Sequence, residues 1–414
     1  MASTLRGNAV IGQSGGPTAV INQSLVGIVQ EALAAEAIDR VYGARYGVQG
    51  ILNENFVDLG REDGATLERI ASTPAAALGS VRKKPTAEDC ERILTVFRAH
   101  DVRYFFYIGG NDSAETAYIV EELAREANYE MRLFHVPKTI DNDLRVTDHC
   151  PGFGSAARFV ACAVIGDNLD NRSLPGIKLD VVMGRHAGFL TAATALARIH
   201  DGDGPHLIYL PEVDFSMERF LADVARIYEQ RGRCVVTLSE GIHDNRGRLV
   251  VQSHETDSHG NVQLSGSGAL GDLLADRVKQ ALGPKTRVRA DTFGYLQRSF
   301  PGFASAVDAI EARAVGQRAL QAAVSEEHES GSVAIRRLAG EEYRVEYFIT
   351  PLETVARVTK EFDPAWIHPD GNDVTGAWLD YVRPLAGELP PVGRLAGSSV
   401  PRKLPPPPPG AARC

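Results

Sequence analysis

The chain is predicted to be an α/β protein on mostly parallel sheet. Short apolar runs alternate with amphipathic helical stretches, and the runs end in glycine or polar residues. At 414 residues it is long enough for two domains.

Each βα unit can be taken in turn. Ala9-Val10-Ile11 reads as a strand, Gly12 to Pro17 as a turn, and Thr18 onward as helix. Arg103 to Ile108 (RYFFYI) reads as a buried strand and Ser113 to Ala127 as an amphipathic helix. Leu133 to Val136, Leu179 to Met183 and Cys234 to Leu238 repeat the strand pattern. In open parallel sheets ligands gather outside the carboxyl ends of strands, so the loops that follow these runs are where chemistry is sought. From about Pro390 the sequence PPVGRLAGSSVPRKLPPPPPGAARC predicts an extended, largely unpacked tail.

Composition narrows the function. With 44% hydrophobic and 23% charged residues the chain is globular, and a formal net charge of -9 argues against a nucleic-acid-binding surface. Cys90, Cys150, Cys162, Cys234 and Cys414 lack metal-binding or disulfide-framework spacing, which points to a reducing, cytoplasmic compartment. No signal peptide and no apolar run of membrane-spanning length is visible, so no membrane partner is expected. The expected partner is a small molecule.

Three stretches in the first half carry the candidate chemistry. Gly12-Gln13-Ser14-Gly15-Gly16-Pro17 suits an anion at a helix start, although a tight turn reads equally well. Gly109-Gly110-Asn111-Asp112-Ser113 repeats the turn, with Asp112 or Ser113 as a helix cap or as part of a site. In Pro137-Lys138-Thr139-Ile140-Asp141-Asn142-Asp143, alternation in an extended segment would point Asp141 and Asp143 to one side, beside Lys138. Two carboxylates and a lysine suit phosphoryl transfer: one takes a hydroxyl proton, another helps hold Mg²⁺, and the lysine offsets phosphate charge. Further on, MGRHAG (183–188) and RADTFGYLQR (289–298) supply arginines suited to phosphate, while Glu240 follows an apolar strand. His186 reads as readily as a structural histidine as an acid or base.

Taken together, SGGP, IGGNDS, PKTIDND, MGRHAGF, SEG and GYLQR, in this order from Ser14 to Arg298, resemble the 6-phosphofructokinase family. The resemblance spans about Asn8 to about Arg357. It implies two doubly wound, Rossmann-like α/β domains with the active site in the cleft between them. Residues 1–152 with about 299–345 would bind the donor, 153–298 with about 346–389 the sugar phosphate, and 390–414 would form the tail. The implied reaction is Mg²⁺-dependent phosphoryl transfer to the 1-hydroxyl of fructose 6-phosphate, in glycolysis or gluconeogenesis, by a homodimer or homotetramer.

Residue by residue, Asp141 matches the family's catalytic base, with Thr139 and Asp143 in the same motif. Arg185 matches a residue that stabilises the transferring phosphoryl group or the sugar phosphate. Met183, Gly184, Glu240, Arg289, Tyr295 and Arg298 match sugar-phosphate positions, Arg289 and Arg298 being implied partners of the 6-phosphate. Gly15, Gly16, Arg82 and Gly110 match donor-phosphate positions. Tyr295 departs from the histidine common in ATP-dependent members. Gly176 falls near the position of an arginine that relatives contribute from a neighbouring subunit.

ATP-using members read G-G-D-G-S and P-G-T-I-D-N-D, whereas Asp112 and Lys138 replace the two small glycines here, as in the pyrophosphate-dependent branch. A carboxylate near a nucleotide's α-phosphate would repel it by about 4 kcal/mol for unit charges about 4 Å apart at an effective dielectric near 20, before screening. Lys138 fills space and offers a cation to the smaller donor, diphosphate. Asn111 stands where many relatives carry a magnesium-binding aspartate, which leaves Asp112, Asp141 or waters for the metal. The alternatives are an ATP-dependent enzyme and a catalytically silent sugar-phosphate sensor. A longer ketose such as sedoheptulose 7-phosphate also fits the implied chemistry.

Overall fold

The computed structural model describes residues 5–83, 85–251, 267–325, 327–356 and 359–405. Eleven strands among these residues form two sheets. The first sheet holds β1 (Gly7–Gln13), β2 (Ile38–Ala44), β3 (Phe56–Asp58), β4 (Val102–Gly109) and β5 (Arg132–Pro137). The second holds β6 (Ile177–Val182), β7 (Leu207–Tyr209), β8 (Cys234–Ser239) and β9 (Val288–Thr292). The chain then returns to the first with β10 (Ser330–Arg337) and β11 (Val345–Thr350).

Strand order is β11-β10-β5-β4-β1-β2-β3 in the first sheet and β7-β8-β6-β9 in the second. The second sheet is wholly parallel, and the first is parallel except for its two edge strands, β3 and β11. The doubly wound class expected from the sequence is the observed one.

The apolar runs become strands because both faces of each sheet are covered. On β4, Tyr104, Phe106 and Ile108 pack toward helices Ile21–Ala34 and Ala306–Val324, while Phe105 and Tyr107 pack toward helices Ala87–Ala99 and Asn111–Glu126. A strand buried on both sides is apolar along its buried length, which is why residues 104–108 (YFFYI) do not alternate, while half-buried Arg103 at the strand's start pairs with Asp101.

The second sheet packs on the long helix Phe153–Ser173, against which helix Gly376–Ala386 also lies. Trp378 is fully buried there beside Phe189, Phe362 and Trp366. Among the described residues, no helix is long and apolar enough to cross a membrane.

Two sequence boundaries shift. The break expected near residue 345 moves beyond Thr350, because β11 pairs antiparallel with β10 and closes the first sheet's edge. The segment from Pro390 is not wholly unpacked. Arg394 pairs with Asp203, and His200 Nε2 lies 2.8 Å from the Val392 carbonyl oxygen, which anchors the start of the tail on the second domain. Leu395 is 99% exposed, so that anchoring stops there. Residues 406–414 lie outside the described residues.

Each sheet reverses its winding beside its first strand: between β1 and β4 in one, between β6 and β9 in the other. Loops leaving those strand ends diverge and make a crevice. The two crevices face each other across one cleft.

Candidate active site

The cleft has a volume of about 480 Å³, and residues from both domains line it. Its first wall begins where β1 ends. The buried Gln13 side chain donates to Asn22 Oδ1 at 3.0 Å and accepts from the Leu78 N–H at 2.9 Å. Asn22 in turn donates to the carbonyls of Thr73 and Ala75. These bonds clamp the 73–80 segment, and Ser80 Oγ donates to the Gly15 carbonyl oxygen at 2.6 Å. Arg82 is thereby delivered to the cleft beside Gly15 and Gly16.

The second turn joins β4 to helix Asn111–Glu126. Its N-cap is Gly110, with no side-chain capping bond, so neither Asp112 nor Ser113 has the capping role that the sequence alone allowed. Ser113 is buried, whereas Asp112 is exposed on the cleft rim. Asp112 in the first turn still benefits from the helix dipole.

Asn111 donates from Nδ2 to Asp143 Oδ2 at 3.2 Å, and its Oδ1 is buried without a hydrogen-bond partner. A buried amide oxygen left bare beside a carboxylate is costly unless something electropositive meets it. Asn111, Asp112 and Asp143 together offer the oxygen donors that Mg²⁺ prefers.

The loop after β5 forms the floor. Lys138 is buried, and its ammonium donates to the Gly16 carbonyl oxygen at 2.8 Å. Burial lowers its pKa to about 8, with Arg298 adding repulsion and Asp141 and Asp143 partly opposing it. The segment is not extended as expected. Asn142 adopts φ 57°, held by Tyr381 Oη accepting from its Nδ2 and by its Oδ1 accepting from the Cys150 N–H. This kink, rather than strand alternation, brings Asp141 and Asp143 to the same cleft.

Burial raises the Asp141 pKa; Arg298 pulls it down, Glu240 pushes it up, and Lys138 and Arg185 pull it down. Asp143 is raised to about 6, first by burial and then by the Asp141 charge. The two titrate as a pair.

The facing wall belongs to the second sheet. β6 ends at Val182 and delivers Met183 and Arg185, β8 delivers Glu240, and the turn after β9 delivers Tyr295 and Arg298. Buried Gln297 ties these together, accepting from the Met183 N–H at 3.3 Å and donating to the Gly294 carbonyl at 2.8 Å. The glycine in Ser239-Glu240-Gly241 has a steric reason: a Cβ there would lie 2.1 Å from the Arg185 carbonyl oxygen. Arg298 lies over the Tyr295 ring at 4.5 Å and also reaches the opposite wall, where a Cβ on Gly16 would sit 3.3 Å from its guanidinium carbon. It therefore bridges the donor turn and the sugar-side loops. His186 lines the cleft with its pKa lowered by burial and by Arg185.

Of the residues singled out from sequence, Gly15, Gly16, Arg82, Gly110, Asp112, Lys138, Thr139, Asp141, Asp143, Met183, Arg185, Glu240, Tyr295 and Arg298 line this one cleft. Gly184 lies just behind it, its carbonyl accepting from Ser239 Oγ at 2.6 Å. Arg289 does not reach the cleft. It is exposed on edge strand β9, and its guanidinium turns back to the Val288 carbonyl. Strand register thus turns Arg289 away from the other residues with which the resemblance groups it at the sugar phosphate.

Sequence reasoning missed Thr359 and Lys360. Thr359 bridges Leu144 and lines the cleft, while the Lys360 N–H donates to the Asp143 carbonyl at 2.7 Å. The Lys360 ammonium donates to the Asp148 carbonyl at 2.7 Å. No local motif marks this segment; only the fold carries it back behind the carboxylates.

Two α/β domains with glycine turns, a buried lysine, paired carboxylates and arginines around one cleft define a phosphoryl-transfer class of site. The chain belongs to the phosphofructokinase family, whose model, Phosphofructokinase, matches residues 8–323. It is 52% identical to a pyrophosphate–fructose 6-phosphate 1-phosphotransferase of Rhodospirillum rubrum over 96% of this chain and 99% of that protein. It is 42% identical to a protein of the same description from Xanthomonas campestris, over 93% of each. A solved pyrophosphate-dependent phosphofructokinase from Marinobacter aquaeolei superposes with a TM-score of 0.83 at 37% identity, covering 96% of this chain and 98% of that one.

Proposed function

We propose that this chain is a pyrophosphate-dependent 6-phosphofructokinase, transferring a phosphoryl group reversibly from diphosphate to the 1-hydroxyl of fructose 6-phosphate. The observation that carries the donor assignment is Lys138, buried against the Gly15-Gly16 turn, with Asp112 exposed on the rim beside it. A lysine in that place occupies room and supplies charge for a compact anion. The carboxylate disfavours a longer, nucleotide donor by repulsion.

In this reading Asp141 accepts the 1-hydroxyl proton as the sugar oxygen attacks the near phosphorus of diphosphate, whose bond to the bridging oxygen breaks so that inorganic phosphate leaves with that oxygen and its electron pair. Its raised pKa makes it a better base than a solvated carboxylate. Lys138 and Arg82 hold donor oxygens, and Arg185 faces the transferring group. Arg298 and Tyr295, with Met183 and Glu240, orient the sugar phosphate. Asn111, Asp112 and Asp143 would hold Mg²⁺, which when bound neutralises diphosphate charge.

Arg289, exposed outside its own cleft, is assigned to a neighbouring subunit's sugar site in a homodimer or homotetramer, the assembly expected for the family. A cytoplasmic location goes with this reading.

The direct test uses purified protein with Mg²⁺ and fructose 6-phosphate, comparing diphosphate with ATP at equal concentration and following fructose 1,6-bisphosphate. Turnover with diphosphate and not ATP is expected. Turnover with ATP alone would overturn the donor assignment, and binding without turnover would favour a sensor.

A further inference from the structure

A second group of carboxylates lies outside the cleft, between helix Phe153–Ser173 and strands β6 and β9. Asp180 on β6 pairs in register with Asp291 on β9, and Asp167 comes from the helix above them. One oxygen from each of the three falls within 4.8 Å of the others. Asp180 is 0% exposed, no donor group meets either of its carboxylate oxygens, and the carboxylate it faces, Asp167, can pair with it only when one of the two holds a proton. Two bare acceptors at full burial are far from the usual condition of a protein interior.

A cation already stands at the mouth. Period-two alternation puts Lys178 on the same face as Asp180, and its ammonium pairs with Asp291 and lies 3.3 Å from Asp167. The lysine serves the two outer carboxylates and leaves the innermost with no donor group of its own. Asp291 is 59% exposed at a sheet edge, so the group opens to solvent on that side.

We propose that Asp167, Asp180 and Asp291 form a second cation site, for a hard divalent ion of the magnesium, manganese or calcium class, in competition with the Lys178 ammonium. The donor set is all oxygen and carries no soft ligand, which excludes a preference for thiolate- or imidazole-seeking metals. Oxygens that all fall within 4.8 Å of one another are close enough to meet around a single ion held by oxygen ligands. When the ion enters, Lys178 swings toward solvent and Asp180 gains its partner. Asp180 lies three residues before Met183, so occupancy stiffens the strand end that delivers the second wall of the cleft. The site needs neither sugar nor diphosphate.

Mn²⁺ binding to the full-length protein, counted from the loss of free-ion paramagnetic resonance without substrates, tests this. Asp180→Asn should remove one Mn²⁺ per chain relative to the unaltered protein, and Lys178→Met should tighten that ion by about tenfold, the scale of one nearby charge in a partly solvated site. Asp291→Asn, at the exposed edge, provides the same loss of binding should Asp180→Asn fold poorly. Equal Mn²⁺ counts in the unaltered protein and the aspartate variants would overturn the site. So would an Asp180→Asn protein that is more heat-stable in chelator with an unchanged Mn²⁺ count. That result would identify Asp180 as a protonated acid sharing its hydrogen with Asp167.

Discussion

The Lys138 ammonium donates to the Gly16 carbonyl oxygen at 2.8 Å, joining the loop after β5 to the turn after β1 across 122 residues of sequence. The same ammonium would lie 3.1 Å from a Cβ on Gly15, which has φ +75°. A side chain on that glycine would push the lysine away and strain the backbone together. The two motifs are therefore one device, with the glycines making room for the lysine as well as for the phosphate.

Donor choice follows from this device. Asp112→Gly combined with Lys138→Gly removes the rim charge and opens the floor, so the ratio of ATP to diphosphate activity should rise, by up to roughly a hundredfold for about 3 kcal/mol of relieved repulsion. Initial rates with each donor at saturating fructose 6-phosphate give the ratio. An unchanged ratio would mean that neither residue selects the donor.

Asp141→Ala should lower kcat by about 10²- to 10⁴-fold, the usual contribution of a positioned general base. Fructose 6-phosphate affinity, measured calorimetrically without donor, should change little, since sugar orientation falls to Arg298, Tyr295 and Glu240.

The pH dependence of kcat/KM for diphosphate should have two limbs. Asp143 is raised to about 6 in the metal-free protein and Asp141 is shifted the same way, so the carboxylate pair gains a proton and activity falls on the acid side, at a pH that moves lower as Mg²⁺ saturates the site. Lys138 is lowered to about 8, so its charge, and donor binding with it, is lost as pH rises beyond about 8. For stability the sign is opposite on the acid side. A carboxyl raised from 3.8 to about 6 disfavours the folded state once ionised, and that cost disappears as pH falls through that window. Urea midpoints at pH 4.5 and 7.5 for the protein and for Asp143→Asn separate the two effects.

Gly241→Ala tests the second wall without touching a charged group. Its Cβ would meet the Arg185 carbonyl oxygen at 2.1 Å, and backbone must move to admit it. A displacement of Arg185 by about 1 Å should lower kcat by roughly a hundredfold with either reaction direction. Retained kcat would show that Arg185 tolerates displacement.

Arg289→Ala should raise the KM for fructose 6-phosphate while leaving kcat within about threefold, the mark of lost ground-state binding. The effect should require an assembled oligomer, checked by sedimentation at the assay concentration. No change in KM in an assembled oligomer would remove Arg289 from the sugar site.

Sequence alone determined the class of fold and most of the cleft. Apolar runs such as YFFYI can be satisfied only by strands covered on both faces, and the polar loops after them hold the unusual residues because strand ends are where backbone can turn and expose chemistry. The donor argument was legible too, since Asp112 and Lys138 change charge and volume at single positions. What tertiary structure decided was every relationship that depends on distant chain segments. The kink at Asn142 is fixed by Tyr381 and Cys150, and Lys360 arrives more than two hundred residues after the loop it braces. Arg289 is turned out of the cleft by strand register, and β11 is drawn into the first sheet by its pairing with β10. Local pattern records what a residue prefers to do with its neighbours in sequence; packing and hydrogen bonding between remote segments decide where it is held.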